Sequence, residues 1–504
     1  MSEPFYITTA ISYPNGPPHI GHAYEAVAAD AIARFQRSQG RDVRFQTGTD
    51  EHGLKMAQAA RAEGIEPRIF ATKMSQLFQD MCDTLNVSYD LFIRTSEPDH
   101  YRASQAIWQA MEEKGDLYLD RYEGWYSVRD EAYYDEGELI AGEGGEKLSP
   151  HGSPVEWTVE ESWFFRHSKY QQPLLDHYAA NPEFIRPESR RNEVQRFVEG
   201  GLNDLSISRT SFAWGVPVPG SPEHVMYVWL DALTNYITGL GYPDDTELWR
   251  RYWPANVHLI GKDVVRFHAV YWPAFLMSAG IELPKQVYGH GFLLSRGEKM
   301  SKSVGNVVDP MVLADKFGVD ALRYFLLREV PFGQDGSYSA EAIVARANAE
   351  LANSFGNLAQ RTLSMIHKNL HGVLPERGDT TADRELLAFV EDATKREVPE
   401  AFDRFAFSTG IEAWLRAVFA CNAYVDTQAP WALRKTDPER MAAVLGTLVV
   451  AVRELARAIA PIIPGSADKL LTFIDAGEAG APIAQPTPLF PRLELEEEAE
   501  EAAQ

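Results

Sequence analysis

Two histidines three positions apart, His19 and His22, stand at the start of a predicted helix in the segment PNGPPHIGH. The start of a helix attracts phosphate because its unpaired backbone N–H groups and its dipole favour negative charge. Imidazoles with this spacing share one face and can both donate hydrogen bonds to one triphosphate, while Gly21 leaves room for a flat base. The segment therefore predicts a nucleotide site. Two helix histidines without a ligand, or half of a metal site, would fit the same four residues.

A second candidate for phosphate chemistry is the segment GEKMSKSVGNVVDP, which lies between a predicted strand and a predicted helix. Lys299 and Lys302 can bring two ammonium groups to a reacting triphosphate and stabilise the negative charge that grows in its transition state. A lysine-rich surface turn is the alternative. Because the two segments occur in an order and in strand–helix contexts that suit one site, together they predict nucleotidyl transfer.

The elements that must position these residues have the pattern of a parallel α/β fold. PFYITTAISY alternates like a strand, helical apolar spacing runs from Ile20 to about Gln39, and DVRFQTGTD reads as a second strand. A strand–helix–strand unit predicts parallel strands with a ligand crevice at their carboxyl ends, here around residues 11–22 and 47–53. Residues 66–114 read as helices. Strand and helix signals in residues 224–294, from HVMYVWLDALTNY to KQVYGHGFLL, predict the remaining strands of one sheet.

The middle and the end of the chain have other patterns. From about Leu117 to Val218 the sequence is aromatic, glycine-rich and irregular, which predicts an insertion between two halves of the sheet. Beyond the DGSYS turn, from Ala340 to about residue 460, apolar spacing is almost wholly helical and predicts a helix bundle.

Composition excludes several classes of protein. The chain has 504 residues, 45% hydrophobic and 11% aromatic, which is typical of a globular protein of about three domains. It has no run of the roughly 18 apolar residues that a membrane span needs and no basic, apolar leader, so we expect a cytoplasmic protein without a membrane partner. Two cysteines, Cys82 and Cys421, match no CxxC spacing, which argues against a disulfide framework.

The net charge of −24 argues at first sight against a nucleic-acid partner, because phosphate attracts cations. However, six acids crowd into residues 494–501 of the C-terminal tail. Such a run is most simply a solvated end of the chain. Basic surfaces can therefore still exist elsewhere.

HIGH followed by KMSKS is the signature pair of class I aminoacyl-tRNA synthetases, and the flanking residues resemble the methionyl-tRNA synthetase family. The matching segments are AISYPNGPPHIGH, TGTDEHG, YVWLDALTNY, IGKDVVRFH, HGFLLSRGEKMSKSVGN, DGSYS, GNLAQR and YVDTQAPW. They follow the family's order over nearly the whole chain. The resemblance implies an α/β fold with a doubly wound parallel sheet of Rossmann type, split by a connective insertion and followed by an all-α anticodon-binding bundle.

The resemblance also implies a division into domains. The expected order is a first half of the Rossmann catalytic domain (1–117), a connective insertion without zinc (118–218), the second half of the catalytic domain (219–280), the KMSKS loop and stem-contact region (281–345), the helical anticodon-binding domain (346–475) and a C-terminal tail (476–504).

The implied activity is the joining of methionine to tRNA. Methionine and ATP, with Mg²⁺, would give methionyl-adenylate and pyrophosphate, and methionine would then pass to the 3′ end of tRNA(Met) for translation initiation and elongation. The chain lacks the length for an added dimerisation domain, so a monomer is expected. Two alternatives stay open: a catalytically inactive, synthetase-like RNA-binding protein, and a small-molecule nucleotidyltransferase. The intact HIGH and KMSKS residues argue against the first, and the helical bundle argues against the second.

The resemblance implies four groups of site residues. The catalytic group comprises His19, His22, Lys299 and Lys302. The ATP-binding group comprises Asn15, Gly21, Glu25, Gly261, Asp263 and Lys302. The methionine-binding group comprises Ile11, Tyr13, Asp50, Trp229, Ala232, Tyr236, Val264 and His268. The group that would read the tRNA anticodon comprises Asn357, Arg361 and Trp431.

Each group has a structural alternative. Asp50, in TGTDEHG, is expected to pair with the substrate ammonium, but it would also suit the N-cap of a following helix. The methionine group offers aromatic rings to a flexible thioether, yet seen alone its members are ordinary core residues. For the anticodon group the alternative is a helix surface with a buried indole.

Many relatives carry zinc knuckles of CxxC type in the insertion, whereas residues 118–218 contain no cysteine. The insertion is therefore expected to hold no structural zinc and no metal site is predicted. An aromatic cluster should stabilise it instead, with Trp125, Tyr126, Trp157, Trp163, Phe164 and Phe165.

Overall fold

The computed structural model describes residues 2–130, 132–295, 298–299, 307–478 and 481–495. The chain divides into two compact units. The first unit comprises residues 1–18, 40–82 and 88–290, and the second unit comprises residues 19–39, 83–87 and 291–504.

A parallel sheet of six strands forms the centre of the first unit, as far as the described residues show. Its register pairs Pro4 with Asp42 and Ile7 with Val257. The Pro4–Thr9, Val257–Gly261 and Val287–His290 strands are almost entirely buried, as central strands of a parallel sheet with both faces covered should be. The predicted α/β class with a parallel sheet is confirmed. In spatial order the strands are Leu91–Arg94, Asp42–Thr49, Pro4–Thr9, Val257–Gly261, Val287–His290 and Ile185–Arg186.

Three strand assignments differ from those expected. Leu91–Arg94 is a strand inside the stretch predicted as helical, because four residues are too few to show a period. Ile185–Arg186, within the predicted insertion, pairs with Val287–His290 and becomes an edge of the parallel sheet. Ser221–Met226, which was expected in that sheet, instead joins a separate antiparallel sheet with the short strands Ser208–Arg209 and Pro217–Val218.

The helices of the first unit bury an apolar core against this sheet. Trp108, Phe165, Trp272 and Phe275 are buried in one cluster. The helices are Leu54–Glu63, Pro67–Thr84, Pro98–Glu113, Gln171–Ala180, Glu188–Glu199, Val228–Thr238, Glu247–Tyr252 and Trp272–Ala279.

The connective insertion is built on an antiparallel pair, Leu117–Ser127 with Glu156–Phe165. Leu205–Ser206 and Ala132–Tyr134 extend it to four strands, and Ile140–Ala141 pairs with Lys147–Leu148. The predicted aromatic residues form separate pairs and not one cluster: Trp125 meets Trp157 edge-on at 5.3 Å between ring centroids, Trp163 packs against Trp108 at 6.0 Å and Tyr118 stacks on Phe164 at 5.5 Å.

One turn of the insertion is organised by a carboxylate. Asp130 accepts hydrogen bonds from Ser153 Oγ (2.8 Å), Tyr134 Oη (3.1 Å) and Ser149 Oγ, and both serines are fully buried. Burial raises the pKa of Asp130, but these hydrogen bonds outweigh burial and hold the pKa below its usual value.

Among the described residues, no group of three His, Cys, Asp or Glu side chains lies close enough together to hold a metal ion. Absence of zinc from the insertion stays a prediction.

The second unit is mainly helical, with a small sheet of Leu293–Ser295, Glu298–Lys299 and Gly336–Tyr338. Its helices are Ile20–Ser38, Pro310–Phe317, Val319–Arg328, Ala340–Arg346, Asn357–Asn369, Thr381–Asp392, Val398–Asp403, Phe407–Gln428, Pro430–Thr436, Pro438–Ile459 and Pro464–Glu478. Ala347–Gly356 and Ala393–Glu397 are wound as π-helix. The predicted helical region is thereby confirmed, although the last helix runs three residues into the predicted tail.

A buried arginine ties the second unit together. Arg323 is fully buried and donates to Asp30 Oδ2 at 2.6 Å on the Ile20–Ser38 helix, to the Leu85 carbonyl and to the Pro461 and Ile462 carbonyls. A buried charge is tolerated only when it is paired and hydrogen-bonded in this way. In the described part of the chain, every helix is too short or too polar to cross a membrane.

Candidate active site

Asp50 directly follows the carboxyl end of the Asp42–Thr49 strand. Backbone hydrogen bonds join this end to Ser12, which follows the neighbouring Pro4–Thr9 strand. Ser12 donates its backbone N–H to the Gly48 carbonyl at 2.9 Å, and Asp50 donates its own to the Ser12 carbonyl at 2.8 Å. The side chain is 7% exposed. The following helix begins only at Leu54, after Gly53 at φ 104°, and has no side-chain cap. The alternative of Asp50 as the N-cap is therefore wrong.

The helix Val228–Thr238, here called the pocket helix, carries three of the predicted methionine residues on one face. Trp229, Ala232 and Tyr236 have the spacing i, i+3 and i+7, which places them in one row. Ala232 and Tyr236 are buried, and the Trp229 ring stacks on Phe267 at 3.5 Å between centroids. The structure thus brings an aromatic and apolar surface together at this face.

His268 adds a polar edge to that surface and lies in a π-helical turn, Phe267–Tyr271. Its Nδ1 lies 2.9 Å from the Val264 carbonyl, and its Nε2 lies 2.6 Å from the Tyr236 hydroxyl. Because a carbonyl only accepts, Nδ1 carries the proton and Nε2 accepts from Tyr236. Burial lowers the pKa of His268 to about 4, which keeps the ring neutral at physiological pH.

The predicted residues of the first unit cluster at the carboxyl ends of three neighbouring strands. Tyr13 and Asn15 follow the Pro4–Thr9 strand, and the Tyr13 hydroxyl accepts the Met56 N–H at 3.1 Å. Ile11 is half-buried beside them. Gly261 ends the Val257–Gly261 strand, and a Cβ there would lie 2.8 Å from Asp263 Oδ1, so a larger residue would have to displace the Asp263 side chain. This edge is where parallel α/β sheets bind ligands.

A cavity of about 1010 Å³ adjoins these residues within the first unit. Of the residues expected at the ligands, Trp229 and Asp263 line it, beside Phe267 and Lys262. One residue expected at methionine and one expected at ATP thus face a space whose lining comes mostly from residues 133–209. That space is large enough for a nucleotide-sized ligand.

His19 and His22 belong to the second unit and cap the Ile20–Ser38 helix reciprocally. His19 Nδ1 accepts the Gly21 N–H at 3.0 Å, and His22 Nδ1 accepts the His19 N–H at 3.1 Å. The two rings lie 3.9 Å apart between centroids, as the shared face predicted. Because both Nδ1 atoms accept, the proton of each neutral ring is on Nε2, which suits hydrogen bonds to phosphate.

Gly21 is small for a reason that the sequence did not show. A Cβ at this position would lie 2.8 Å from Cε1 and 3.0 Å from Nδ1 of His19. The glycine therefore makes room for the His19 ring itself. Glu25, also expected near ATP, is half-buried on the same helix. The Lys299 backbone ends the short strand Glu298–Lys299, whereas its side chain and Lys302 lie outside the described residues.

Two buried pairs beside Asp50 were not anticipated. Glu51 accepts from Arg94 at 2.8 and 3.1 Å, and His52 Nδ1 lies 2.8 Å from Asp231 Oδ2 on the pocket helix. The sequence does indicate that such pairs are needed, because Asp50, Glu51 and His52 are three consecutive ionisable residues at a buried strand end and must find partners. Nothing in the sequence identifies those partners, which lie 43 and 179 residues away.

Comparison with known proteins agrees with this geometry over the whole chain. Residues 5–363 match the model of class I tRNA synthetases (M), and residues 374–493 match that of the anticodon binding domain of methionyl tRNA ligase. The methionine–tRNA ligase of Mesorhizobium japonicum is 60% identical over 94% of this chain and 91% of the relative. The methionine–tRNA ligase of Brucella suis is 57% identical over 97% of this chain and 98% of the relative.

A solved structure is equally similar. Methionyl-tRNA synthetase of Mycobacterium tuberculosis, in complex with methionyl-adenylate, superposes with a TM-score of 0.93 at 55% identity, over 97% of this chain and 100% of that one. The chain belongs to the methionyl-tRNA synthetase family of class I. Its activity is methionine–tRNA ligation, with methionine, ATP and tRNA as substrates.

The residues expected to read the anticodon of the tRNA lie on two helices of this synthetase. Asn357 and Arg361 share a face of Asn357–Asn369, directly after the π-helical stretch Ala347–Gly356. Trp431 is the second residue of Pro430–Thr436, and its indole is 48% exposed. The alternative of a buried indole is therefore wrong. An exposed indole next to an arginine offers a stacking surface for an unpaired base.

Proposed function

We propose that this synthetase forms methionyl-adenylate at the carboxyl ends of the three neighbouring strands, with Asp50 holding the ammonium and the pocket helix holding the side chain of methionine. The observations that carry the proposal are the Tyr236–His268 contact at 2.6 Å beside the pocket helix and the His52–Asp231 contact at 2.8 Å, which joins the Asp50 segment to that helix. The mycobacterial relative in complex with methionyl-adenylate, at 55% identity, supports the same assignment.

The first step is a displacement at phosphorus. A methionine carboxylate oxygen attacks the α-phosphate of ATP, the bond from the α-phosphate to the bridging oxygen breaks, and pyrophosphate leaves with that electron pair. His19 and His22 donate hydrogen bonds from Nε2 to the triphosphate, and Lys299 and Lys302 balance the charge that gathers on the leaving pyrophosphate. No protein nucleophile is needed, so positioning and electrostatics do the catalysis.

Adenosine is assigned to Asn15, Gly21, Glu25, Gly261 and Asp263. We assign Mg²⁺ to the triphosphate rather than to a protein cage. The described residues contain no cluster of three potential ligands, and Mg²⁺ commonly binds substrate phosphates and water with few protein groups. When bound, it neutralises phosphate charge.

Methionine binding is assigned to Ile11, Tyr13, Asp50, Trp229, Ala232, Tyr236, Val264 and His268. Neutral His268 and the Tyr236 hydroxyl give this otherwise apolar pocket a polar edge toward the thioether. Discrimination between side chains that differ by one methylene is limited to about 1–3 kcal/mol in such a pocket. Homocysteine is accordingly the competitor to examine.

In the second step a hydroxyl of the 3′-terminal ribose of tRNA(Met) attacks the carbonyl carbon of the adenylate, and AMP leaves.

Asn357, Arg361 and Trp431 are assigned to the anticodon. The chain acts as a monomer in the cytoplasm, in translation initiation and elongation. We assign its domains as catalytic halves at 1–117 and 219–280, insertion 118–218, KMSKS and stem-contact region 281–345, anticodon-binding domain 346–475 and tail 476–504, although the edge strand Ile185–Arg186 and the end of the last helix cross these bounds.

The test is ATP–pyrophosphate exchange with each of the twenty amino acids, Mg²⁺ and protein that has been exhaustively treated with a chelator of zinc. Exchange with methionine alone, followed by charging of tRNA(Met), supports the proposal. Folded protein that exchanges with no amino acid but binds tRNA would instead be the inactive RNA-binding protein. Exchange without transfer to tRNA would favour a small-molecule nucleotidyltransferase.

A further inference from the structure

The strand that leads to Asp50 and the pocket helix lie side by side and are joined at three places. Arg44 Nη2 donates to the Gly239 carbonyl at 2.9 Å, Gln46 Nε2 donates to Asn235 Oδ1 at 2.8 Å, and His52 Nδ1 lies 2.8 Å from Asp231 Oδ2. The three partners on the helix side are spaced by four residues. Strand and helix therefore run antiparallel along their common length.

The last of these contacts is a buried pair between ionisable groups. His52 is 1% exposed and Asp231 is fully buried. A carboxylate only accepts, so His52 Nδ1 carries the proton of this contact, while its Nε2 lies 3.0 Å from the Tyr101 hydroxyl. His100 Nε2 lies 3.5 Å from the other Asp231 oxygen. Burial raises the pKa of Asp231, but His52 and His100 outweigh burial and hold it below its usual value.

This pair joins the segment that carries Asp50 to the helix that carries the proposed side-chain pocket. His52 follows Asp50 by two residues on the same buried turn. Asp231 lies on the pocket helix between Trp229 and Ala232. The distance from the ammonium-binding carboxylate to the side-chain pocket therefore depends on how this turn is attached to the helix.

Glu51 holds the turn from the other side. It accepts two hydrogen bonds from Arg94, and its N–H donates to Thr95 Oγ1 at 2.8 Å. Gly53 donates its N–H to the Trp214 carbonyl at 3.1 Å. These hydrogen bonds hold the turn on one side, and the His52–Asp231 contact joins it to the pocket helix.

We propose that the His52–Asp231 pair is a specificity-determining positioning contact, which sets the spacing between Asp50 and the pocket helix so that an amino acid of methionine's length reaches both. The inference rests on the proposed assignment of Asp50 to the ammonium. His52 and Asp231 are not among the residues assigned to the substrate, so in this proposal they act through Asp50 and the pocket helix.

The experiment compares ATP–pyrophosphate exchange with methionine and with ethionine, which is one methylene longer. The variants are His52→Ala, His52→Gln, which keeps an N–H donor for Asp231, and Asp50→Ala. The matched control is Asp116→Asn, because Asp116 is another fully buried carboxylate of the first unit, bonded to Lys169 at 2.7 Å and Ser278 at 2.7 Å.

We expect His52→Ala to raise the KM for methionine at least tenfold while kcat changes less than threefold, and to lower the ratio of kcat/KM for methionine to that for ethionine at least fivefold. His52→Gln should retain more of both, and Asp116→Asn should change neither more than twofold. A fivefold loss of this ratio is a part of the roughly 10- to 200-fold discrimination that one methylene supports.

Two results would overturn the inference: equal losses for both amino acids in His52→Ala, or a KM and a ratio that match those of Asp116→Asn. If Asp50→Ala leaves the KM for methionine unchanged, the proposed role of Asp50 fails, and the inference fails with it. If Asp50→Ala raises the KM for methionine but His52→Ala does not, the role of Asp50 stands and only the positioning contact is rejected. Should His52→Ala not fold, His52→Gln must still raise the KM and lower the ratio beyond the values of Asp116→Asn, and a match to Asp116→Asn would overturn the inference.

Discussion

The guanidinium carbon of Arg361 lies 5.4 Å from the centroid of the Trp431 indole, although the two residues are 70 positions apart in the chain. Asp426 lies 3.6 Å from the same guanidinium. A cation over an indole face stabilises the pair modestly at an exposed site. The arrangement presents a planar, partly exposed stacking surface together with hydrogen-bond donors, which is the combination that unstacked RNA bases bind.

Trp431→Ala should impair charging of tRNA while leaving adenylate formation intact. Stacking of one base on an aromatic side chain contributes about 1–3 kcal/mol, so kcat/KM for tRNA(Met) should fall about 10- to 100-fold. The measurement is aminoacylation beside ATP–pyrophosphate exchange. Phe419→Ala is the control, since Phe419 is a 51% exposed aromatic residue of the same unit. Equal losses in both assays would reject a role restricted to the anticodon.

Gly21→Ala should lower the rate of adenylate formation without a large loss of stability. The added methyl group would press on the His19 ring, at 2.8 Å from Cε1, and displace it. Misplacing a positioned group by about 1 Å can cost about a hundredfold in rate, so we expect kcat for exchange to fall by ten- to a hundredfold. Gly137→Ala is the control, because a Cβ there meets nothing within 4 Å. An unchanged kcat in Gly21→Ala would contradict the role of the His19 ring.

Acid should destabilise the first unit through histidines that are buried in the neutral form. Burial lowers the pKa of His167 to about 4, as it does for His268. Such a residue binds a proton in the unfolded chain below about pH 6.5 and in the folded chain only below about pH 4. The free energy of unfolding therefore falls as the pH drops from 6.5 to 4, by ~2 kcal/mol per histidine between pH 7 and pH 5.

The measurement is urea unfolding of His167→Gln and of the natural sequence at pH 7 and pH 5. The variant should lose ~2 kcal/mol less of its unfolding free energy over this interval, because it lacks one group that takes up a proton on unfolding. His151→Gln, at an exposed histidine of the insertion, should behave as the natural sequence does. An identical pH dependence in His167→Gln would refute the argument.

Asp130→Asn should loosen the insertion. An amide in place of the carboxylate cannot accept from both serines and Tyr134 with charge assistance, and a buried group left unsatisfied costs about 1–3 kcal/mol. Proteolysis confined to residues 118–218 would reveal the change.

Chelation of zinc should leave exchange, charging and proteolysis of the natural sequence unaffected. A loss of activity that added Zn²⁺ restores would show that the insertion does hold zinc.

The class of the fold and the location of the site could be predicted from local patterns. Alternation, helical period and the turn before His19 are properties of neighbouring residues, and parallel strands must place their carboxyl ends at one edge. Asp50 could therefore be placed at a strand end, and Trp229 and Tyr236 on one helix face. Prediction failed for the strand Leu91–Arg94, because four residues are too few to show either the alternation of a strand or the period of a helix.

Only the tertiary structure decided which buried polar groups meet. His52 and Asp231 are separated by 179 residues, and no local pattern marks one as the other's partner. The same holds for Arg361 with Trp431 and for the edge strand Ile185–Arg186. The physical reason is that burial and period are local properties of a segment, whereas pairing depends on which segments pack together. The sequence by itself thus determined the elements and their chemistry, and packing decided the contacts that hold them at working distances.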